Sequence, residues 1–382
     1  MAGGSTLGVG MVGYAFMGAA HSQAWRTAGR FFDLPVTPEM AVLCGRDRAK
    51  ATAAAEKLGW RSVETDWKAM LTRDDVQLVD VCSPGDTHAA IAIAALDAGK
   101  HVLCEKPLAN TVDEARAMVA AAERAASRGV RSMVGYSYRR VPAVAQARRL
   151  VQQGRIGEIR HVRASYQQDW IVDPEFPLVW RLQKDAAGSG ALGDIGAHIV
   201  DMAQYLTGDL LTGVSALTET FVRERPLPSR DGRGSVDVDD AALFLGRFAG
   251  GAVASFEASR FATGRKNALR IELNGSRGSL AFDQERMNEL EFYSEEEDPD
   301  TRGFRRILVT EPTHPYVGAW WPPGHGLGYE HSFTHQAVDL VRDIAEGRDP
   351  VPSFADGLRV QLVLDAVEKS AASGSWHTVP EE

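Results

Sequence analysis

Residues 7–18 read Leu7-Gly8-Val9-Gly10-Met11-Val12-Gly13-Tyr14-Ala15-Phe16-Met17-Gly18, and two glycine patterns overlap in them. Gly8, Gly10 and Gly13 satisfy G-x-G-x-x-G by letter; Gly13, Ala15 and Gly18 satisfy the variant G-x-A-x-x-G. A dinucleotide-binding fingerprint must follow a strand and open a helix. Its first glycine makes the tight turn, and the helix N-terminus then faces the pyrophosphate. Leu7–Val12 is a strand candidate, so Gly8 and Gly10 fall inside it, where no phosphate reaches. Gly13 ends that strand, and Met17–Ala28 has helical composition. The expected coenzyme loop is therefore Gly13, Ala15, Phe16, Met17 and Gly18.

Outward from this stretch, short apolar runs alternate with alanine-rich helical patterns. The strand candidates are Leu7–Val12, Met40–Cys44, Leu78–Cys82, His101–Cys104 and Arg131–Gly135. The helical stretches between them include Ala49–Leu58, Thr87–Ala98 and Val112–Ser127. This alternation implies right-handed βαβ units and a doubly wound parallel sheet covered on both faces. After Val141 the grammar changes. The helix Pro142–Gln153 leads into alternating strands at Ile159–Gln167, Leu211–Phe221, Ala241–Phe248, Ala252–Arg260, Leu269–Leu273 and Ser279–Phe282. Gly250-Gly251 and Asn274-Gly275 carry hairpin turn chemistry. Helices are expected at Ala191–Leu206, Tyr329–Glu346 and Phe354–Ala371, and Arg225–Asp239 reads as a loop. The fold class expected is α/β: a Rossmann domain over 1–140 and, over 141–382, a second α/β domain with a large, mostly antiparallel open sheet.

Composition limits the function. The chain has 382 residues, 44% hydrophobic and 24% charged, and a net charge of −9 from 42 Lys+Arg against 51 Asp+Glu. An acidic chain without a basic stripe argues against nucleic acid and anionic membrane surfaces. No apolar run reaches the ~18 residues of a membrane helix. MAGGSTLGVGMVG has no basic segment ahead of its apolar stretch, so a signal peptide is not expected. Cys44, Cys82 and Cys104 each end an apolar run and read as buried free thiols, which fits a reducing cytoplasm. With no CxxC pair, a cysteine zinc site and a zinc alcohol dehydrogenase are excluded, and no metal is expected.

The second strand ends in Cys44-Gly45-Arg46-Asp47. An NAD site usually carries an acid here for the ribose hydroxyls. Gly45 instead leaves room and Arg46 offers a fork for a 2′-phosphate, so the coenzyme expected is NAD(P), leaning to NADP, with Asp47 as the residue that could return it to NAD. Ser83, Pro84 and His88 follow the third strand candidate and belong to the coenzyme side. The fourth runs into Cys104-Glu105-Lys106-Pro107, at the carboxyl end where open α/β sheets bind ligands; Glu105 and Lys106 are placed beside the nicotinamide. In GSGALGDIGAH, Asp194 and His198 stand four residues apart, about one helical turn, and should share a face. An imidazole beside an acid is what proton transfer needs.

The segments VGYAFMGAAH, CEKPLA and WRLQKDAAGSGALGDIGAHIVDMAQYLTG resemble, in order and spacing, the glucose–fructose oxidoreductase / inositol dehydrogenase / MocA (Gfo/Idh/MocA) family. QQDW, WRLQK, DVDD and SFADG are closer to its levoglucosan and glycoside 3-dehydrogenase branch. The resemblance implies a Rossmann domain, a mostly antiparallel α/β domain, a substrate between them, and oxidation of a secondary alcohol on a sugar, glycoside or cyclitol ring. It makes Lys106 the catalytic lysine, Asp194 and His198 the acid–base pair, and the protein a homo-oligomer (dimer or tetramer). Ala15 and the missing ribose acid depart from the family's pattern and bear on coenzyme choice. Gln168, Trp170 and Arg181 are expected to contact substrate, since aromatic faces stack on ring C–H bonds and Arg donates to hydroxyls. Tyr138 with Arg139 is expected to line the nicotinamide side. Trp320-Trp321 reads as an apolar lid or subunit contact. His331 and His335, spaced i,i+4 without a third ligand, read as a helix-surface pair. The alternatives are a keto-sugar reductase, or a non-catalytic dinucleotide-binding sensor that would not need Lys106, Asp194 and His198 together.

Overall fold

Gly13 does turn the chain out of a strand: its φ is +99°, and a Cβ there would stand 2.7 Å from the carbonyl oxygen of Cys82. In the computed structural model, which describes residues 5–228 and 231–382, that strand is β1 (Thr6–Val12), followed by α1 (Phe16–Phe31). Then come β2 (Thr37–Cys44), α2 (Arg48–Leu58), β3 (Ser62–Glu64), α3 (Trp67–Leu71), β4 (Leu78–Val81), α4 (His88–Asp97), β5 (His101–Cys104), α5 (Val112–Ala126) and β6 (Ser132–Val134). The six strands form one parallel sheet in the order β3-β2-β1-β4-β5-β6. The order reverses between β1 and β4, which is where such sheets bind ligands. Gly8 and Gly10 face packing instead: a Cβ at Gly8 would meet the Asp75 carbonyl oxygen at 1.9 Å, and one at Gly10 the Met70 sulfur at 2.8 Å.

The second part runs α6 (Pro142–Gln152), β7 (Ile159–Gln167), α7 (Lys184–Ala187), a π-helical turn (Leu192–Gly196), α8 (Ala197–Thr207), β8 (Leu211–Glu219), β9 (Glu224–Pro226) and β10 (Arg233–Ser235). It continues with β11 (Ala241–Phe248), β12 (Val253–Ser259), β13 (Ala268–Gly275), β14 (Gly278–Asp283), β15 (Glu289–Ser294) and β16 (Arg305–Leu308). It closes with α9 (Tyr329–Glu346), α10 (Phe354–Ser373) and β17 (His377–Thr378). Nine strands make an open sheet in the order β16-β15-β14-β13-β7-β12-β11-β8-β17, antiparallel throughout except for β7 with β12. Alternation along β11 buries Ala242, Phe244 and Phe248 on one face and exposes Leu243 and Leu245 on the other.

The chain divides into two compact units, Met1–Arg140 with Gly328–Leu358, and Val141–Leu327 with Arg359–Glu382. The sequence reading had given all of 141–382 to the second. Gly328–Leu358 belongs with the first because α9 packs on α1: Phe333 lies against His21, Tyr329 stacks on Phe16, and His335 meets the edge of Phe32. The Arg225–Asp239 loop reading is corrected in part, since β9 pairs with β10 inside it. This ribbon is anchored by Arg225, fully buried, whose guanidinium donates to the carbonyls of Ile171 (2.6 Å) and Asp173 (2.8 Å). Residues 1–4 of the leader reading and 229–230 of the loop reading lie outside the described residues. Among the described residues no helix is long and apolar enough to cross a membrane.

Candidate active site

The first unit offers a cradle for an anion. Ala15 is the N-cap of α1 and supplies no side-chain acceptor, and no acid lies in the first turn. The positive helix end thus stays open to a pyrophosphate. Gly18 must be small, since its Cβ would stand 2.3 Å from the Gly13 carbonyl oxygen. Phe16 turns its ring onto Tyr329, with centroids 6.1 Å apart, so it can serve a ligand through its backbone; Met17 is half-buried. These features fit a dinucleotide.

The strand ends around the cradle carry the other expected residues. Ser83 and Pro84 follow β4, and the Ser83 hydroxyl hydrogen-bonds that of Thr87 at 2.6 Å. His88 opens α4, with Nδ1 3.0 Å from the Pro107 carbonyl oxygen and Nε2 3.0 Å from that of Ser83. Burial pushes its pKa down, against the pull of the two carbonyls. Glu105 is buried and Lys106 half-buried just past β5. Gly45 packs against an aromatic ring. A Cβ there would stand 2.0 Å from the ring of Tyr14, so the residue must stay small. Arg46 is exposed. Asp47 caps α2 through the Lys50 N–H at 3.1 Å, which, with the nearby Lys50 charge, holds its carboxyl below the usual range.

Tyr138 and Arg139 prove to be packed parts of the first unit. Tyr138 is buried edge-on to Tyr329, and Arg139 pairs with Asp356 at 3.3 Å. The helix-surface reading of His331 and His335 is corrected. His335 is fully buried, bonded through Nδ1 to the Arg140 carbonyl at 2.9 Å, and burial pushes its pKa down to about 3. Cys44, Cys82 and Cys104 are buried free thiols; burial pushes Cys44 up to about 12. Among the described residues only His21, Asp80 and Cys82 cluster closely enough to ligate a metal, and their ligand atoms are engaged with one another.

In the second unit the G-D-x-G-x-H motif opens a helix in an irregular way. The Asp239 carboxylate accepts the N–H groups of Gly190 (2.7 Å) and Leu192 (2.8 Å). Gly190 lies so close that a Cβ would stand 1.7 Å from the Asp239 carbonyl oxygen. From this anchor the chain enters the π turn carrying Asp194, then α8 carrying His198. The four-residue spacing is thus not one plain α turn. Single π turns are rare and frequent at functional sites.

A chain of contacts links the two motif residues with the expected sugar wall. Arg260, fully buried just past β12, pairs with Asp194 at 3.6 Å and lies 5.5 Å over the Trp170 ring. It also donates to the carbonyls of Asp239 (3.2 Å) and Arg181 (3.4 Å). Trp170 Nε1 donates to Gln168 at 3.0 Å. The Gln168 amide and the Tyr166 hydroxyl both donate to Asn267, at 3.1 and 2.6 Å. The Tyr166 ring meets His198 edge-on, with centroids 5.8 Å apart. Asp194, His198, Gln168 and Trp170 therefore share one neighbourhood. Arg181 joins it through its backbone, while its guanidinium lies 4.5 Å over Trp180. Arg260, Asp239, Tyr166 and Asn267 were given no role in the sequence, where an arginine at a strand end looks like any surface charge.

A family model described as "Oxidoreductase family, NAD-binding Rossmann fold" matches residues 7–136, and one for the "GFO/IDH/MocA C-terminal domain" matches 144–281. The chain belongs to the GFO/IDH/MocA oxidoreductase family. It is 43% identical to levoglucosan dehydrogenase of Pseudarthrobacter phenanthrenivorans, over 98% of each chain. It is 26% identical to D-apiose dehydrogenase of Paraburkholderia graminis, over 95% of this chain and 87% of the other. A solved levoglucosan dehydrogenase in complex with NADH superposes with a TM-score of 0.95 at 44% identity, covering 99% of this chain and all of the other. These matches agree with the family resemblance, the α/β fold and the dinucleotide-binding Rossmann unit read from the sequence; the NADP leaning is not among the things they bear out.

Proposed function

We propose that the protein is an NAD-dependent dehydrogenase that oxidises a secondary alcohol on a pyranose-type ring, in an anhydrosugar or glycoside of levoglucosan's class. The observation that carries this is the contact chain from Asp194 through Arg260, Trp170 and Gln168 to Tyr166 and His198, which combines acid, base and aromatic wall. Levoglucosan dehydrogenases solved with NADH and levoglucosan, or NADH and L-sorbose, at 44% identity support the substrate class. They also support NAD over the NADP favoured from Gly45-Arg46, as does the acid at Asp47. Arg46 makes NADP⁺ a poorer second coenzyme. The buried thiols fit a reducing compartment, the cytoplasm.

Hydride leaves a ring carbon only as its hydroxyl loses a proton. His198 takes that proton as general base, and the Lys106 ammonium steadies the developing alkoxide. Asp194, paired with Arg260, accepts a hydrogen bond from a neighbouring hydroxyl. Trp170 is fixed by Gln168 at its nitrogen and Phe176 at its edge, and presents apolar surface to ring C–H bonds. The nicotinamide, when bound, accepts the hydride.

The test is a panel of levoglucosan, methyl glucosides, myo-inositol and free aldoses with NAD⁺ and NADP⁺, read by formation of reduced nicotinamide. Levoglucosan or a glycoside with NAD⁺ is expected to turn over fastest. Lys106→Ala and His198→Ala are each expected to lower kcat on that sugar by about a hundredfold or more. No turnover on any sugar, in either direction, would point to the sensor reading instead.

A further inference from the structure

His21, on α1, is 1% exposed and has a carboxylate at each ring nitrogen. Its Nδ1 lies 3.0 Å from both oxygens of Asp80, on β4, and its Nε2 lies 2.9 Å from Glu105 Oε1. Trp25 Nε1 donates to Asp80 at 2.7 Å, Cys82 Sγ sits 3.4 Å from the same carboxylate, and Phe333 of α9 covers the imidazole with centroids 5.4 Å apart. Ionised carboxylates only accept, so a ring serving both must donate from both nitrogens. A neutral ring would turn a lone pair toward one of them.

The far end of this bridge touches the residue expected to meet substrate. Glu105 Oε1 takes the bond from His21, and Oε2 accepts the backbone N–H of Lys106 at 3.2 Å. Gly135, just past β6, leaves room for the carboxylate, since a Cβ there would stand 2.7 Å from Oε1. Buried ion pairs seldom add net stability over an apolar packing of the same volume. What this one adds is direction: a carboxylate that cannot rotate, fastened to the backbone of Lys106.

We propose that His21 is a positioning residue for Lys106: bridging Asp80 and Glu105, it locks the Glu105 carboxylate onto the Lys106 N–H and so sets how the lysine leaves the end of β5. This rests on the reading of Lys106 as the group that steadies the alkoxide. The test is a double-variant cycle of His21→Gln and Lys106→Ala, read on the fastest sugar of the panel. Glutamine can donate to one carboxylate but turns its oxygen toward the other. His21→Gln is expected to lower kcat about tenfold or more while KM for NAD⁺ changes less than about twofold. The double variant is expected to be no slower than Lys106→Ala alone, because groups acting as a unit are not additive. Unchanged kcat in His21→Gln, or losses that multiply, overturns the proposal. If His21→Gln does not fold, Glu105→Gln, which removes the charge at the lysine end alone, is read in the same cycle. Independently of turnover, nitrogen-15 NMR of histidine-labelled protein at pH 8 is expected to show two N–H signals for His21, and a single one overturns the bridge. Full activity in Lys106→Ala would instead sink the proposed role of the lysine, with the NMR result still deciding the bridge.

Discussion

The charge on His21 ties the stability of the first unit to pH. Burial works hardest against a charged ring, but Asp80 and Cys82 together outweigh it, and the pKa of His21 is raised well above its usual value. A group whose folded pKa is raised stabilises fully below its unfolded pKa, about 6.5 for histidine, and that contribution falls away as pH climbs through the folded value. The gap in melting temperature between wild type and His21→Gln should therefore be widest near pH 6 and narrower at pH 9. A gap that widens toward alkaline pH would show that the ring is not charged in the folded state. His21 stands inside the quoted VGYAFMGAAH segment, yet its role was not legible there. Nothing local in the sequence shows that residues 59 and 84 positions further on will close on it. Arg260 is the same case in the second unit. Gly13 and Gly18 were readable because what constrains them is local backbone geometry.

At the scale of elements, the π turn at Leu192–Gly196 depends on a residue far along the chain. Asp239 accepts two N–H groups at its entrance and receives the Arg260 guanidinium on its carbonyl. Asp239→Ala removes both acceptors and is expected to cost about 1–3 kcal/mol, the range for buried donors left unsatisfied. Because Asp194 lies two residues past the second of those donors, kcat should fall in Asp239→Ala at temperatures well below its melting point. Asp239→Asn keeps an acceptor and should recover part of both losses. Equal kcat in wild type and Asp239→Ala, with stability reduced, would mean that the turn holds its shape without the cap. The long periodic elements, such as α9 and β11, were readable from apolar spacing, and so was the parallel pairing of the first sheet, though not the order of its strands. Short polar strands such as β3, β9, β10 and β16 carry too few residues for a pattern. A π turn has no local signature, because it is made by contacts with Asp239 and β12.

On the scale of the whole molecule, the division of the chain was the hardest thing to read, since α9 has ordinary amphipathic spacing and nothing in it says which unit it will cover. The open face of the nine-stranded sheet is a different matter, because alternation along β11 and β8 writes it directly. Leu243 and Leu245 are 48% and 60% exposed, and Leu217, the cross-strand neighbour of Leu243, is 72% exposed. They border a concavity of about 890 Å³ on the face opposite the π turn, whose Gly196 packs instead on Ala258. Along it, Arg163 pairs with Glu272 at 3.1 Å and Arg270 with Asp283 at 2.8 Å. Nine strands spaced ~4.8 Å apart, each about 7 residues of ~3.3 Å, give a face of roughly 900 Å². That is close to the ~800 Å² per partner of a specific complex. An apolar patch edged by charges of both signs is a surface that can pair with its own copy about a two-fold axis. A second copy of this chain is therefore the occupant proposed for it. The double variant Leu243→Glu with Leu245→Glu sets like charges against one another across such an axis. By light scattering, wild type should run at an even multiple of the chain mass and this variant at half that value or less, with its far-UV circular dichroism unchanged. A wild type that is monomeric at micromolar concentration, or a variant that keeps the wild-type mass, would leave the face without a partner copy.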